Sequence, residues 1–139
     1  MVRPEVARQK VANALARLEQ AEALVKKSDE GAPADRQAGD LASFYLLLAI
    51  QEAIDLAAHW VSDAGWTPPA DAGGTFQLLA ERGAIDPDLA RGLRAAAALR
   101  NRIAHNDPSL DHSRLHGEFE RGVATLRRFL AAVSVAAGI

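Results

Sequence analysis

Cysteine is absent from these 139 residues, which excludes disulfides and thiolate metal sites and is compatible with a reducing compartment. Aromatic residues are scarce at 5% against 49% hydrophobic residues, so an apolar core must come largely from Ala, Leu and Val. That composition suits closely packed helices better than sheets. Long apolar runs are missing as well. "LASFYLLLAI" and "FLAAVSVAAGI" are too short to span a bilayer, and the opening "MVRPEVARQK" has no signal-peptide core. The expectation is a cytoplasmic chain with no membrane partner. A glycine-rich phosphate loop is also lacking, since "DAGG" has neither the strand nor the lysine that such a loop uses. Nor does one charge dominate, the net value being −2. That figure hides an asymmetry, because residues 82–128 hold nine arginines against six acids while the remainder is acidic. So small a basic excess argues only weakly for nucleic acid.

What the sequence does have is helical periodicity over almost its whole length. One domain, 1–139, is expected, large enough for its own core. Val11, Leu15, Leu18, Ala21 and Val25 recur at three and four residues and mark an amphipathic helix from about 4 to 27. Gly31 and Pro33 break it. A longer helix over about 35 to 64 carries one apolar stripe at Leu47, Ile50, Ile54, Ala57 and Val61 and a second at Leu41, Phe44, Tyr45 and Leu48. With two apolar sides it should be the central element, buried on both. "GWTPPADAGG" reads as a loop, after which Thr75 caps a short helix that Gly83 stops. Asp86 and Pro87 supply the N-cap and first position of a fourth helix, whose inner face is Leu89, Leu93, Ala96 and Ile103. Pro108 disfavours helical geometry at Asp107 and should end this helix near His105. A last helix begins near Asp111 and turns Leu115, Phe119, Val123, Leu126, Leu130 and Val133 inward. The expected fold is all-α, an up-and-down bundle of four long helices and one short one.

Two places depart from a plain bundle. On the long second helix the stripe of Leu41, Phe44, Tyr45 and Leu48 continues as Glu52, Asp55 and His59, so an apolar seam turns polar halfway along. Either this end reaches solvent or the carboxylates have partners, because an unpaired buried carboxylate is very costly. If partnered, Glu52 or Asp55 should face Arg100 or Arg102. The second place is "RNRIAHND" at 100–107, which follows "AAAAL" and sets Arg100, Arg102 and His105 at a helix end. Arg100 and His105 lie about 140° apart on an ideal helix, whereas Asn101 and His105 share a face. A long guanidinium can still reach a histidine on a frayed last turn. Cations there also complement the helix dipole, so ordinary end stabilisation stands as the alternative to chemistry.

The order Arg, Asn, three residues, His in "RNRIAH" resembles the motif of the HEPN superfamily. Through "AIQEAIDLAAHWV", "TFQLLAERGAID", "LRNRIAHND" and the closing amphipathic helix, the chain is similar to the HepT-like toxin branch over roughly residues 40 to 135. The resemblance implies a HEPN-like helical homodimer whose two motifs line a shared cleft. It further implies metal-independent endoribonuclease activity with no cofactor, and an MntA-type nucleotidyltransferase antitoxin as partner. Carried over by position, Arg100 and His105 would be the catalytic pair and Asn101 would support their geometry. The residue types suit RNA cleavage, in which a 2′-hydroxyl loses a proton, charge grows on the phosphoryl oxygens and the 5′-oxygen leaves protonated. Histidine exchanges protons near neutral pH, and arginine offers a permanently charged fork that matches phosphate.

One departure from the family pattern matters. Two residues after the histidine the HepT-like pattern has a tyrosine that the antitoxin modifies with AMP, and here that position is Asp107. Without a hydroxyl, AMP transfer to this position is excluded. The aspartate either repels RNA beside the cleft or serves as a turn residue before Pro108. Two other readings stay open: a catalytically silent HEPN module that binds a nucleotidyltransferase or nucleotide, and a purely structural helical dimer. His112 and His116 have zinc-compatible spacing but no third ligand in view. Arg114, Arg121 and Arg128 recur every seven residues on a surface that Glu118 and Glu120 interrupt, as on a solvated face. Trp60 and Trp66 should anchor the loop after the second helix.

Overall fold

The computed structural model describes residues 2–28, 35–105 and 112–139; the side chains at 26–28, 35–37 and 112–117 lie outside what it describes. The helices are α1 (Pro4–Ser28), α2 (Asp35–Asp63), α3 (Ala72–Glu81), α4 (Pro87–Ala104) and α5 (His112–Ala137). Among the described residues there is no strand. The all-α expectation holds, and the helix ends read from the sequence, except the start of α3, fall within a residue or two of those observed.

α1 and α2 form an antiparallel hairpin. The Arg3 backbone N–H donates to Asp63 Oδ2 at 3.2 Å, and further along the Arg17 guanidinium sits 5.9 Å above the Tyr45 ring centre. The seam between them is a heptad pattern of small and large residues, with Ala7, Val11, Ala14, Leu18 and Ala21 facing Ala42, Leu46, Ala49, Ala53, Leu56 and Trp60, all buried. Of the two apolar stripes expected on α2, the first is largely buried, with Ile50, Ala57 and Val61 almost fully covered, while the second is not. The alanines let the helix axes approach and draw the α1 seam to a face beside the second stripe. Leu41 and Phe44 are left 43% and 50% exposed, and Tyr45 and Leu48 are half-buried. By length and composition alone Ala38–Asp63 is apolar enough to cross a membrane, contrary to the reading of its longest unbroken run. In this fold α2 touches all four other helices.

The second half of the chain packs around an aromatic cluster. Phe76 of α3 meets Phe129 of α5 edge-on, with ring centres 5.5 Å apart, and Trp60 of α2 lies 6.4 Å from the same ring. Such a pair adds about 0.5–1.5 kcal/mol beyond area burial. Trp60 thus closes the core, while Trp66 is covered by the Arg82 guanidinium at 5.4 Å. α3 starts four residues earlier than expected, and its cap is Asp71 rather than Thr75. Asp71 is extended, its Oδ1 accepts from Gly74 N–H at 2.7 Å, and Thr75 Oγ1 only donates back to the Asp71 carbonyl at 3.0 Å. The two glycines that read as loop are helical. A Cβ on Gly74 would lie 2.9 Å from Pro69 Cβ, so the absence of a side chain there serves packing, not flexibility. Gly83, at φ +74°, ends the segment in the left-handed conformation expected of it.

α4 and α5 run antiparallel. Arg128 reaches Asp88 at 3.5 Å near one end, and Arg102 bonds Glu118 at 2.9 Å near the other. Their backbones approach closely at Gly92, where an added Cβ would meet both branches of Thr125. Asp86 holds the N-cap position of α4 and Pro87 its first turn, as expected, although the Asp86 side chain makes no capping bond.

Candidate active site

The rotation of α4 about its axis is fixed by the residues it buries: Leu89, Ala90, Leu93, Ala96, Ala97 and Leu99. That choice leaves Arg94, Ala95, Ala98, Asn101 and His105 exposed and Arg100 half-buried. The Arg100 guanidinium is held from two sides. Its Nε and Nη2 donate to Asn101 Oδ1 at 3.1 and 2.8 Å, and its Nη1 donates to Gln51 Oε1 of α2 at 3.1 Å. Both acceptors are neutral amides. Among the described residues no carboxylate pairs with Arg100, so its orientation is set while its charge is left uncancelled. A carboxylate in the same place would compete with any phosphate for the guanidinium fork.

His105 stands at the C-cap of α4, with φ −93° and ψ 3°, and its backbone N–H donates to the Asn101 carbonyl at 3.0 Å. Asn101 therefore ties both ends of the motif: its main chain holds the His105 backbone and its side chain holds Arg100. A direct reach from Arg100 to His105, which the length of the guanidinium side chain left open, is not what the structure has. Instead Asn101 and Gln51 take the guanidinium donors, and the histidine side chain is exposed at a helix end whose dipole favours positive charge.

The expected pairing of Glu52 or Asp55 with Arg100 or Arg102 does not occur. Lys10 of α1 takes both carboxylates, at 3.3 Å from Glu52 Oε2 and 3.6 Å from Asp55 Oδ2. α1 covers this flank of α2, and its lysine lies 42 residues before Glu52 in the chain, beyond what the α2 stripe alone can indicate. Asp55 acts on Arg100 only at one remove: its Oδ1 accepts from Gln51 Nε2 at 3.3 Å, which turns the Gln51 carbonyl oxygen toward the guanidinium. Gln51 is thus the residue the sequence reading missed. Its signal was available, since Phe44, Leu48 and Gln51 share one face of α2 by helical spacing. Arg102 is engaged with Glu118 and anchors α4 to α5. His59 is exposed. Asp107 and the side chains of His112, Arg114 and His116 lie outside the described residues.

Beside the motif, between the first turn of α3 and α4, lies a cleft of about 520 Å³ whose lining includes Asp71, Gly73, Arg91, Arg94, Arg100 and Asn101. Arg91 is already committed, because it donates to Asp88 Oδ1 at 3.0 Å. That bond and the charge behind it, with help from Arg128, hold the Asp88 carboxyl below the usual carboxylate range.

Fold and site together define a small all-α protein that presents an uncancelled guanidinium and an exposed imidazole on one helix end. The chain belongs to the HepT-like family: the model described as Ribonuclease HepT-like matches residues 13–133. A protein of Archaeoglobus fulgidus named "Putative RNase" is 34% identical over 91 residues, which is 65% of this chain and 68% of that protein. Among solved structures, a toxin–antitoxin complex with AMP-PNP contains a chain that superposes with a TM-score of 0.79 at 16% identity, covering 94% of this chain and 98% of that one. The tri-AMPylated Shewanella oneidensis HEPN toxin in complex with MNT antitoxin gives the same TM-score and identity over 94% of this chain and 97% of that one. At such low identity the two structures establish the HEPN toxin fold.

Proposed function

We propose that this chain is a HepT-like toxin that cuts RNA without a metal, works as a homodimer, and is held in check by an MntA-type nucleotidyltransferase antitoxin. The observation that carries the reading is the double hold of Asn101, which links the His105 backbone and the Arg100 guanidinium and leaves the arginine charge free. In the reaction, Arg100 takes the scissile phosphate and stabilises the charge that grows on its oxygens as the 2′-oxygen attacks. A base removes the 2′-hydroxyl proton and an acid returns one to the departing 5′-oxygen, leaving a cyclic phosphate and a 5′-hydroxyl. Each chain brings one motif histidine, so two copies supply the two proton-transfer groups. The exposed apolar pair Leu41 and Phe44, on the same α2 face as Gln51, gives such a second copy a surface to cover. The antitoxin assignment is supported by the similar toxin chains solved with theirs. Asp107 offers no hydroxyl for AMP, so restraint here works through contact or through another acceptor.

The test is cleavage of varied RNAs by the purified chain in the presence of a chelator, with light scattering on the same samples. A dimer is expected, and Arg100→Ala and His105→Ala should each lower the rate by about 10²–10⁴ while helical content is kept. If wild type is as inert as His105→Ala yet still binds the nucleotidyltransferase, the chain is a silent binding module. A monomer at micromolar concentration removes the shared cleft.

A further inference from the structure

The arginines around α4 fall into two groups. Arg91 and Arg128 share Asp88, Arg102 holds Glu118, and Arg127 pairs with Glu22. Arg94, Arg100 and Arg121 have no carboxylate partner among the described residues; Arg94 and Arg100 border the cleft between α3 and α4, and Arg121 the groove on the other side of α4. Arg94 and Arg100 stand six residues apart, about 9 Å along the helix, or a step or two of an extended nucleotide strand. We propose that this cleft holds the RNA backbone next to the scissile phosphate, with Arg94 as the contact for a neighbouring phosphate. The assignment rests on RNA being the ligand of the Arg100 motif.

The lining says how such a strand would be read. Gly73, Gly74, Ala95 and Ala98 form walls without bulk, so a backbone can approach closely. A Cβ on Gly73 would lie 3.9 Å from Arg94 Cγ and Nε, which places the arginine side chain along the first turn of α3. Among the described residues Asp71 is the one carboxylate in the lining, and its Oδ1 is bonded to the Gly74 N–H at 2.7 Å. It offsets the positive end of α3, so attraction for an anion comes from the arginines and not from the helix end. Among the described residues the cleft lining has no aromatic side chain on which a base could stack. Contacts of this kind fix position on the phosphates and carry no sequence information. Arg94 therefore sets affinity for single-stranded RNA of any sequence, and Arg100 remains the residue at the reacting phosphate.

Anisotropy titrations with fully 2′-O-methylated, single-stranded oligonucleotides of several sequences separate binding from cleavage. Arg94→Ala is expected to bind all of them about tenfold more weakly, and to flatten the log–log salt dependence by about 0.7, the share of one single-strand phosphate contact. Arg94→Lys should recover most of the loss. Arg121→Ala, an exposed arginine in the groove on the other side of α4, should stay within about twofold of wild type. With cleavable RNA, Arg94→Ala should raise KM and leave kcat unchanged. The proposal is overturned if Arg94→Ala binds RNA as wild type does, if wild type binds no RNA at low salt, or if only antitoxin binding is weakened. RNA that is cut with a KM indifferent to Arg94 rejects the cleft and keeps the nuclease. RNA that is bound through Arg94 and never cut does the reverse.

Discussion

Gly92→Ala isolates the contact that seats the motif helix on α5. A Cβ at this position would lie 2.9 Å from Thr125 Cγ2 and 3.0 Å from Thr125 Oγ1. Ordinary carbon contacts are about 3.5–4.0 Å, so the helices must open by roughly 0.7 Å or strain Thr125. Rotation about the threonine Cα–Cβ bond is no escape, because two heavy branches face the glycine and any rotamer leaves at least one of them there. Overpacking of this size costs about 1–3 kcal/mol, against a gain of about 1 kcal/mol from replacing glycine with alanine inside a helix. The expected result is a net loss of about 1 kcal/mol in urea unfolding followed by circular dichroism. Thr125→Ala removes both offending atoms and leaves Cβ at an ordinary 3.6 Å. In that background Gly92→Ala should instead stabilise by about 1 kcal/mol, its helix propensity now unopposed. A Gly92→Ala protein more stable than wild type, or two substitutions that simply add, would show that α4 does not rest on Thr125 in this way.

Two further outcomes follow from the local geometry. Asp71→Ala removes the oxygen that caps α3 at Gly74 and should cost about 1 kcal/mol in the same unfolding assay, with Asp71→Asn losing much less. Gln51→Glu sets a carboxylate where a neutral amide now meets Arg100, and should lower RNA cleavage about tenfold or more at unchanged helical content. Gln51→Leu, which removes the acceptor without adding charge, should cost less. Equal activities in wild type and Gln51→Glu would mean that the free charge of Arg100 plays no part.

Helix number, order and ends were legible because the signals are local: three- and four-residue periodicity, Gly83 at a left-handed stop, and Pro87 in a first turn. The burial of α2 was legible in part: Ile50, Ala57 and Val61 are buried as their stripe implies, but the seam at Ala42, Ala49 and Ala53 is made by small side chains that an apolar stripe does not single out. Alanines contribute little area each, yet they decide how near two axes come, and so which face closes. The cap of α3 was misplaced for a related reason. Gly73 and Gly74 look like loop residues until Pro69 is known to lie against the second of them, and that contact is visible only in three dimensions.

The site divides along the same line. Arg100, Asn101 and His105 sit within one helix end, so their spacing already restricted which of them could be linked. The partners of Arg100 from outside α4 depend on which helix lies beside it, and a stripe alone does not distinguish Gln51 from the carboxylates one and four residues later. Lys10 settles the matter physically: by drawing Glu52 and Asp55 toward α1, it keeps both carboxylates off the guanidinium and leaves the amide to hold it. A hydrogen bond from a neutral acceptor fixes direction, whereas an ion pair would fix direction and also cancel the charge that a phosphate needs. The acidic half of the chain is thereby compatible with an anionic ligand at α4, because Glu52 and Asp55 are spent on a lysine from α1 and Asp71 on the cap of α3.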